Sequence, residues 1–322
     1  MRASSSFSGI LCLLAGLAIF SVQDLILKLI SGDYPLHQAM MVRSLVALPF
    51  LLAIVRIFDG RLSTITTPGW WKMTLRGVLN FASYTFYYLA LASLPLATTI
   101  ALFFTAPLFI TIASAVLLRE RIPPVAALAV ATGFGGVLMI VQPGGEGLGW
   151  AGILPVAGAL TYALSMIAAR PLGRTESAAA MAFWSNICFL VCALALALWY
   201  GDGSRATEGD ATLAFLTRGW VTPPWRDLAL MAACGVIAAA ALTLLTQAYR
   251  IAPSSLVAPF EYAAIFWGLL WGFLIWRDLP DAMAWGGIAV IVAAGMVVIR
   301  QGTRPAPAAV PRNQPHPCPD CP

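Results

Sequence analysis

The chain has 322 residues, 60% of them hydrophobic and 10% charged, against roughly 45–50% and 25% in a soluble domain. That balance excludes a soluble enzyme, a disordered protein and a disulfide-stapled secreted scaffold, and leaves a polytopic membrane protein. The net charge of +5 does not indicate a nucleic-acid partner, because the basic residues stand singly at the ends of apolar segments, where they orient helices in a bilayer.

A transmembrane helix takes about 20 residues. Apolar runs predict ten, over 8–31, 36–57, 69–92, 95–118, 124–142, 148–171, 176–200, 225–250, 253–276 and 281–299. The first run resembles a signal peptide, but it is long, carries Asp24 and Lys28, and has no A-x-A site after it, so it reads as the first helix. Turn chemistry marks the breaks: Asp33-Tyr34-Pro35, Thr67-Pro68-Gly69, Leu94-Pro95, Pro123-Pro124, Pro143-Gly144-Gly145, Pro223-Pro224 and Pro253. Short connections make neighbouring helices antiparallel. The longest connection, Gly201 to Pro224, is polar and reads as a surface excursion. Cys12, Cys188, Cys192 and Cys234 lie inside apolar helices and form no disulfide framework. Residues 301–322 are rich in proline and read as a disordered cytoplasmic tail. Its His316, Cys318 and Cys321 make one cluster without a second pair, which cannot fill a closed zinc site, so no metal is expected.

Orientation follows from arginine and lysine. With a cytoplasmic N-terminus, the inner side holds Arg2, Arg56, Arg61, Lys72, Arg76, Arg119, Arg121, Arg170, Arg174, Arg250, Arg300, Arg304 and Arg312. The outer side holds Arg205, Arg218, Arg226 and Arg277. Both termini are therefore predicted to be cytoplasmic.

An internal repeat emerges on shifting the chain. An offset of 158 lays Leu94-Pro95 on Ala252-Pro253 and Arg119-Glu120 on Arg277-Asp278, and one of 143 lays Gly9-Ile10-Leu11 on Gly152-Ile153-Leu154. The predicted units are 8–143 and 148–300. Each has five spans, so the second enters the membrane from the opposite side. The fold class is thus all-α, with ten transmembrane helices in two inverted five-helix repeats, a build that places substrate near the bilayer midplane.

Ten helices in two halves, with an Arg-Glu or Arg-Asp pair closing the fourth helix of each, resemble the drug/metabolite transporter superfamily and, within it, the EamA group. Phe20-Ser-Val-Gln-Asp24-Leu-Ile-Leu-Lys28, Tyr34-Pro35, Gln38 and Arg43-Ser44 resemble the bacterial members related to riboflavin and S-adenosylmethionine carriers. The resemblance spans about residues 8 to 300. It implies two bundles that rock around a central cavity, and a secondary transporter of a small organic metabolite in the bacterial inner membrane. The first expectation is uptake of a vitamin or cofactor such as riboflavin or S-adenosylmethionine. The alternative is export of amino acids or drugs. An intramembrane enzyme is a remote alternative, since it needs a clustered His, Asp or Ser constellation and His37 stands alone. No P-loop, G-x-S-x-G or H-E-x-x-H is present, so neither ATP hydrolysis nor a cofactor is expected. The expected partners are the substrate, the lipid bilayer and protons as a coupling ion; the oligomeric state stays open.

Charged groups inside a bilayer are costly. Asp24 and Lys28 are four apart on one helix face. Arg43 lies as far from the Asp33-Tyr34 hairpin as Asp24 does, so Asp24 is placed to bridge Lys28 and Arg43. That cluster reads either as a clamp or as a cavity lining whose spare positive charge attracts an anionic or polarised group. Glu261 lies about eight residues into its helix, roughly 12 Å from the end, with no cation in its own helix placed to neutralise it. It can exchange a proton, contact a substrate, or be a protonated structural acid. Asn80 and Asn186 sit near mid-span and either tie helices or bind substrate. Tyr84, Tyr162, Trp184 and Tyr262 belong to an aromatic set that can stack on a planar ring or simply pack. Gly133, Gly136 and Gly268 are expected to allow close helix approach.

Overall fold

The computed structural model describes residues 2–30, 33–94, 99, 102–141, 150–207, 211–276 and 282–302. The His316–Cys321 cluster and Arg277-Asp278 lie outside them, as does the side chain of Lys28. The described residues form helices joined by turns and short irregular segments, with no strand among them. In chain order the helices are α1 (Arg2–Ile30), α2 (Leu36–Phe58), α3 (Trp70–Ser93), α4 (Ala106–Leu117), α5 (Pro124–Val141), α6 (Ile153–Leu172), α7 (Ala178–Tyr200), α8 (Ala211–Thr217), α9 (Trp225–Ile251), α10 (Ser254–Val257), α11 (Ala264–Trp271) and α12 (Ala282–Gly302).

Proline sets several starts. Pro35, Pro224 and Pro253 precede α2, α9 and α10, and Pro124 opens α5, where its missing N–H would have had no helical acceptor. Ser177 caps α7 by accepting the Ala180 amide at 3.0 Å. Asp227 and Arg250 sit at the first and last turns of α9, each matched to the sign of the helix dipole there.

Six stretches are long and apolar enough to cross a membrane: Ser6–Leu27, Leu36–Phe58, Ile153–Leu172, Ala178–Tyr200, Trp225–Ile251 and Ser254–Ile275. Shorter apolar helices accompany them. α3 is as long as these, at 24 residues, but it is more polar. The protein is a multi-pass membrane protein.

Two expectations need correction. The span predicted over 253–276 is broken: α10 passes into a 3₁₀ stretch at Ala258–Ala263, then α11, then a π-helical turn at Gly272–Trp276. Pro259 is the physical reason, since it has no N–H to donate to an i−4 carbonyl. The excursion between Gly201 and Pro224 carries α8, and its Thr212 and Phe215 are buried, so it is part of the packed structure.

Helix pairing organises the bundle. α1 packs along α9, α3 along α6, α2 along α7 and α5 along α12. Close approach is built in by glycine. A Cβ on Gly235 would lie 2.5 Å from the Arg43 carbonyl oxygen, and one on Gly136 would lie 2.8 Å from that of Gly287. Gly268 differs from its expectation: nothing lies within 4 Å of its Cβ position, and it faces a cavity.

Each end of the bundle is tied. At the α2–α3 end, Trp184 Nε1 donates to the Ile65 carbonyl at 2.9 Å, Ser177 Oγ donates to Asp59 at 2.5 Å, and Thr67 bonds to Glu176. Arg170 and Glu120 form an ion pair there at 2.7 Å. At the α1–α2 end, Tyr34 Oη donates to Asp227 at 2.5 Å, and Gln38 exchanges two bonds with the Val221 backbone.

Candidate functional site

Between α1, α3, α6, α9 and α11 lies a cavity of about 210 Å³. It runs from Met166 and Leu245, in the middle of the bundle, to Leu91 and Trp271 near the end holding the α1–α2 turn. Its walls are aromatic. Tyr87 meets Phe103 edge-on with ring centroids 5.0 Å apart, and Phe20 meets Tyr84 edge-on at 5.5 Å. Two acids, Asp24 and Glu261, reach it, and no arginine, lysine or histidine is among the described lining residues.

Glu261 is 6% exposed and sits in the 3₁₀ stretch, on backbone whose tighter winding aims it inward. Its Oε1 accepts from Tyr249 Oη at 2.6 Å and from Tyr162 Oη at 2.9 Å. Either hydroxyl can turn and accept instead, so the site keeps its hydrogen bonds whether the acid is ionised or protonated. No cation pairs with Glu261 within 4.0 Å among the described residues.

Asp24 Oδ1 accepts from Tyr88 Oη at 2.7 Å. Its expected bridge to Arg43 is not formed; among the described residues the only ion pair within 4.0 Å is Arg170 with Glu120. Arg43 instead donates from Nε to Gln23 Oε1 at 3.0 Å, and its guanidinium stacks on the rings of Tyr84 and Phe189 at 5.1 and 4.9 Å. The reason is azimuth: Gln23 and Asp24 are successive helical residues and point about 100° apart, so one meets Arg43 while the other meets the cavity. Arg43 is 2% exposed and is not among the described lining residues, so its charge does not face the cavity.

The structure thus brings Asp24, Asn80, Tyr84, Tyr162 and Glu261 together around one space. Asn80 is 1% exposed, and its Nδ2 has no hydrogen-bond partner. The other described candidates are not among its lining residues. Asn186 Nδ2 donates to the Ser44 carbonyl at 2.9 Å and ties α7 to α2. Trp184 serves the loop contact at the α2–α3 end and not mid-depth. Tyr262 donates to the Val130 carbonyl at 3.1 Å, and its ring fills the notch at Gly133.

Sequence reasoning missed Arg76, which it assigned to the cytoplasmic surface. Arg76 is 1% exposed. It donates to the Ser165 and Met181 carbonyls at 3.1 and 3.4 Å and to Ser185 Oγ and Thr246 Oγ1 at 2.9 and 2.8 Å. One side chain of α3 thereby joins α6, α7 and α9, on the α2–α3 side of the cavity. A signal existed: Arg76, Asn80, Ser83 and Tyr87 recur at helical spacing, a polar stripe down one face of an otherwise apolar helix.

A multi-pass membrane bundle that encloses an aromatic cavity with two carboxyl groups on its described wall has the architecture of a small-molecule carrier. The comparisons agree. The EamA-like transporter family matches residues 7–142. A riboflavin transporter of Rhizobium johnstonii is 30% identical over 260 residues, 81% of this chain and 78% of its own length. An S-adenosylmethionine uptake transporter of Rickettsia bellii is 25% identical over 256 residues, 80% of this chain and 79% of its own. A solved crystal structure superposes with a TM-score of 0.76 at 18% identity, covering 94% of this chain and 100% of that one, a likeness of fold alone. The chain belongs to the EamA-like transporter family of the drug/metabolite transporter superfamily and is a metabolite transporter.

Proposed function

We propose that this chain is a secondary carrier, not an enzyme, that takes up a vitamin or cofactor such as riboflavin or S-adenosylmethionine across the bacterial inner membrane together with protons. The observation that carries the reading is the mid-bundle cavity with Glu261 held between two tyrosines. Relatives named as riboflavin and S-adenosylmethionine transporters supply the substrate class. Export is the second reading. It is favoured by a pseudopaline exporter of Pseudomonas aeruginosa, 26% identical over 294 residues, 91% of this chain and 96% of that protein.

The architecture we propose is ten spans in two inverted units, 8–143 and 148–300, with both termini cytoplasmic. Helix pairing supports it. Exchanging the first unit's helices for their counterparts in the second turns the α1–α9 contact into α6–α3, and the α2–α9 contact into α7–α3. The α2–α7 and α5–α12 contacts map onto themselves. All six contacts are present, as two units related by a pseudo-two-fold axis require. Burial of Arg76 removes one member from the cytoplasmic set of cations and leaves the bias standing.

Purified protein in liposomes, with an inward proton gradient and no ATP, is expected to accumulate riboflavin or S-adenosylmethionine. A strict ATP requirement, or inertness toward both compounds, would overturn the proposal.

A further inference from the structure

We infer that the cavity recognises a planar nitrogen heteroaromatic whose net charge is zero or positive, and that it rejects the same ring system once a phosphate makes it net anionic. The inference deepens the carrier reading above and rests on it.

Shape comes first. Tyr84, Tyr87, Phe103 and Trp271 stand around one space, and edge-to-face contacts such as that of Tyr87 with Phe103 leave ring faces available to a flat ligand.

Polarity comes next. Asn80 Nδ2 is a buried donor without a partner, on a side chain that lines the cavity. A buried amide N–H left unpaired is unfavourable, and a ring carbonyl or ring nitrogen of a ligand is the acceptor that would complete it. Asp24 and Glu261 act in the opposite sense: they accept, and so match ring N–H groups or a cationic nitrogen.

Charge completes the argument. Both formal charges on the described wall are negative-going carboxyl groups. The two nearby buried arginines are occupied elsewhere, Arg43 by Gln23 and two rings, and Arg76 by two carbonyls and two hydroxyls. A substituent that makes the ligand net anionic would enter a low-dielectric space beside carboxyl groups and find no guanidinium or ammonium among the described lining residues to pair with. One of the two readings open from the sequence was the reverse, a positive cavity inviting anions; the position of Arg43 against the Tyr84 ring takes its charge off the described wall.

The test is equilibrium dialysis of the purified full-length chain against four fluorescent tricyclic probes. Lumichrome and riboflavin are uncharged, proflavine is cationic, and riboflavin 5′-phosphate is anionic. The first three are expected to bind, and the phosphate ester to bind at least tenfold more weakly than riboflavin. In the chain carrying Asp24→Asn and Glu261→Gln, that tenfold gap should shrink while proflavine weakens. The single Glu261→Gln chain carries the same comparison should the double variant not be recovered. Equal affinity for riboflavin and its phosphate, an unchanged gap in the variants, or no binding by any of the four would overturn the inference. The two readings separate cleanly. Charge-ordered binding without transport of either riboflavin or S-adenosylmethionine leaves the selectivity standing and sinks the vitamin carrier, whereas transport of riboflavin and its phosphate alike does the opposite.

Discussion

Replacing Glu261 with glutamine changes charge with almost no change in shape. Its Oε1 accepts two phenolic hydrogen bonds, at 2.6 Å from Tyr249 and 2.9 Å from Tyr162. A hydrogen bond to a charged group contributes about 1.5–3 kcal/mol and a neutral one about 0.5–1.5. Neutralisation therefore gives up about 1 kcal/mol per phenol, or roughly 2 kcal/mol in all. Against this stands the desolvation of a buried carboxylate, itself several kcal/mol, which the glutamine no longer incurs. Glu261→Gln is thus expected to fold and to keep binding an uncharged substrate. Three measurements in liposomes separate the roles: riboflavin binding, exchange of labelled for unlabelled riboflavin, and uptake driven by a pH gradient. Binding and exchange are expected to persist, because neither moves net protons, while gradient-driven uptake fails. Wild-type uptake by the glutamine variant would refute the coupling role and make the acid structural. Loss of binding by tenfold or more would instead make Glu261 a direct substrate contact.

Three further outcomes are expected. Arg76→Met keeps side-chain volume while removing a buried cation and should stay within about 1.5 kcal/mol of the wild type, whereas Arg76→Ala leaves a void and should cost about 2–5 kcal/mol; thermal unfolding in detergent reads both, and the reverse order would refute the claim that packing outweighs charge there. Gly235→Ala drives a methyl to 2.5 Å from the Arg43 carbonyl oxygen and should destabilise by about 1–3 kcal/mol, while Gly135→Ala, with nothing within 4 Å, should gain up to about 1 kcal/mol in helix propensity; equal melting temperatures for the two would contradict the packing of α2 on α9. A reporter at Gly203 should be accessible from outside the cell and one at the C-terminus from the cytoplasm; finding the Gly203 reporter inside would reverse the orientation drawn from the arginine bias.

What was legible in the chain follows from what an apolar run encodes. Length and hydropathy give a helix and its ends, and proline gives the break, so α2, α6, α7 and α9 fall within a few residues of their predicted bounds. Two of the acids singled out in the chain, Asp24 and Glu261, line the same cavity. Rotation about each helix axis was not readable, because in a membrane lipid-facing and partner-facing sides are both apolar. That is why Arg43 was assigned to Asp24 when Gln23 holds it, and why Tyr262 and Asn186 stayed open between lining the cavity and packing, when each bonds to a backbone carbonyl of a neighbouring helix. Arg76 was misassigned for a related reason: a cation near a helix end ordinarily snorkels to the interface, and only the helical recurrence of Asn80, Ser83 and Tyr87 beyond it marks that face as interior.

The broken segment between Pro253 and Trp276 works geometrically as a screw thread of mixed pitch. A 3₁₀ helix rises about 2.0 Å and turns about 120° per residue, where an α-helix rises 1.5 Å and turns about 100°. Rewinding the six residues Ala258–Ala263 into α form would shorten the segment by about 3 Å and swing everything beyond it through about 120°. Glu261 lies four residues into that stretch, so most of the swing would act on its side chain while Pro253 and α10 stayed in place. A carboxyl group mounted on such a thread can be presented to one set of neighbours and then to another by local unwinding alone, with no sliding of the long helices past one another.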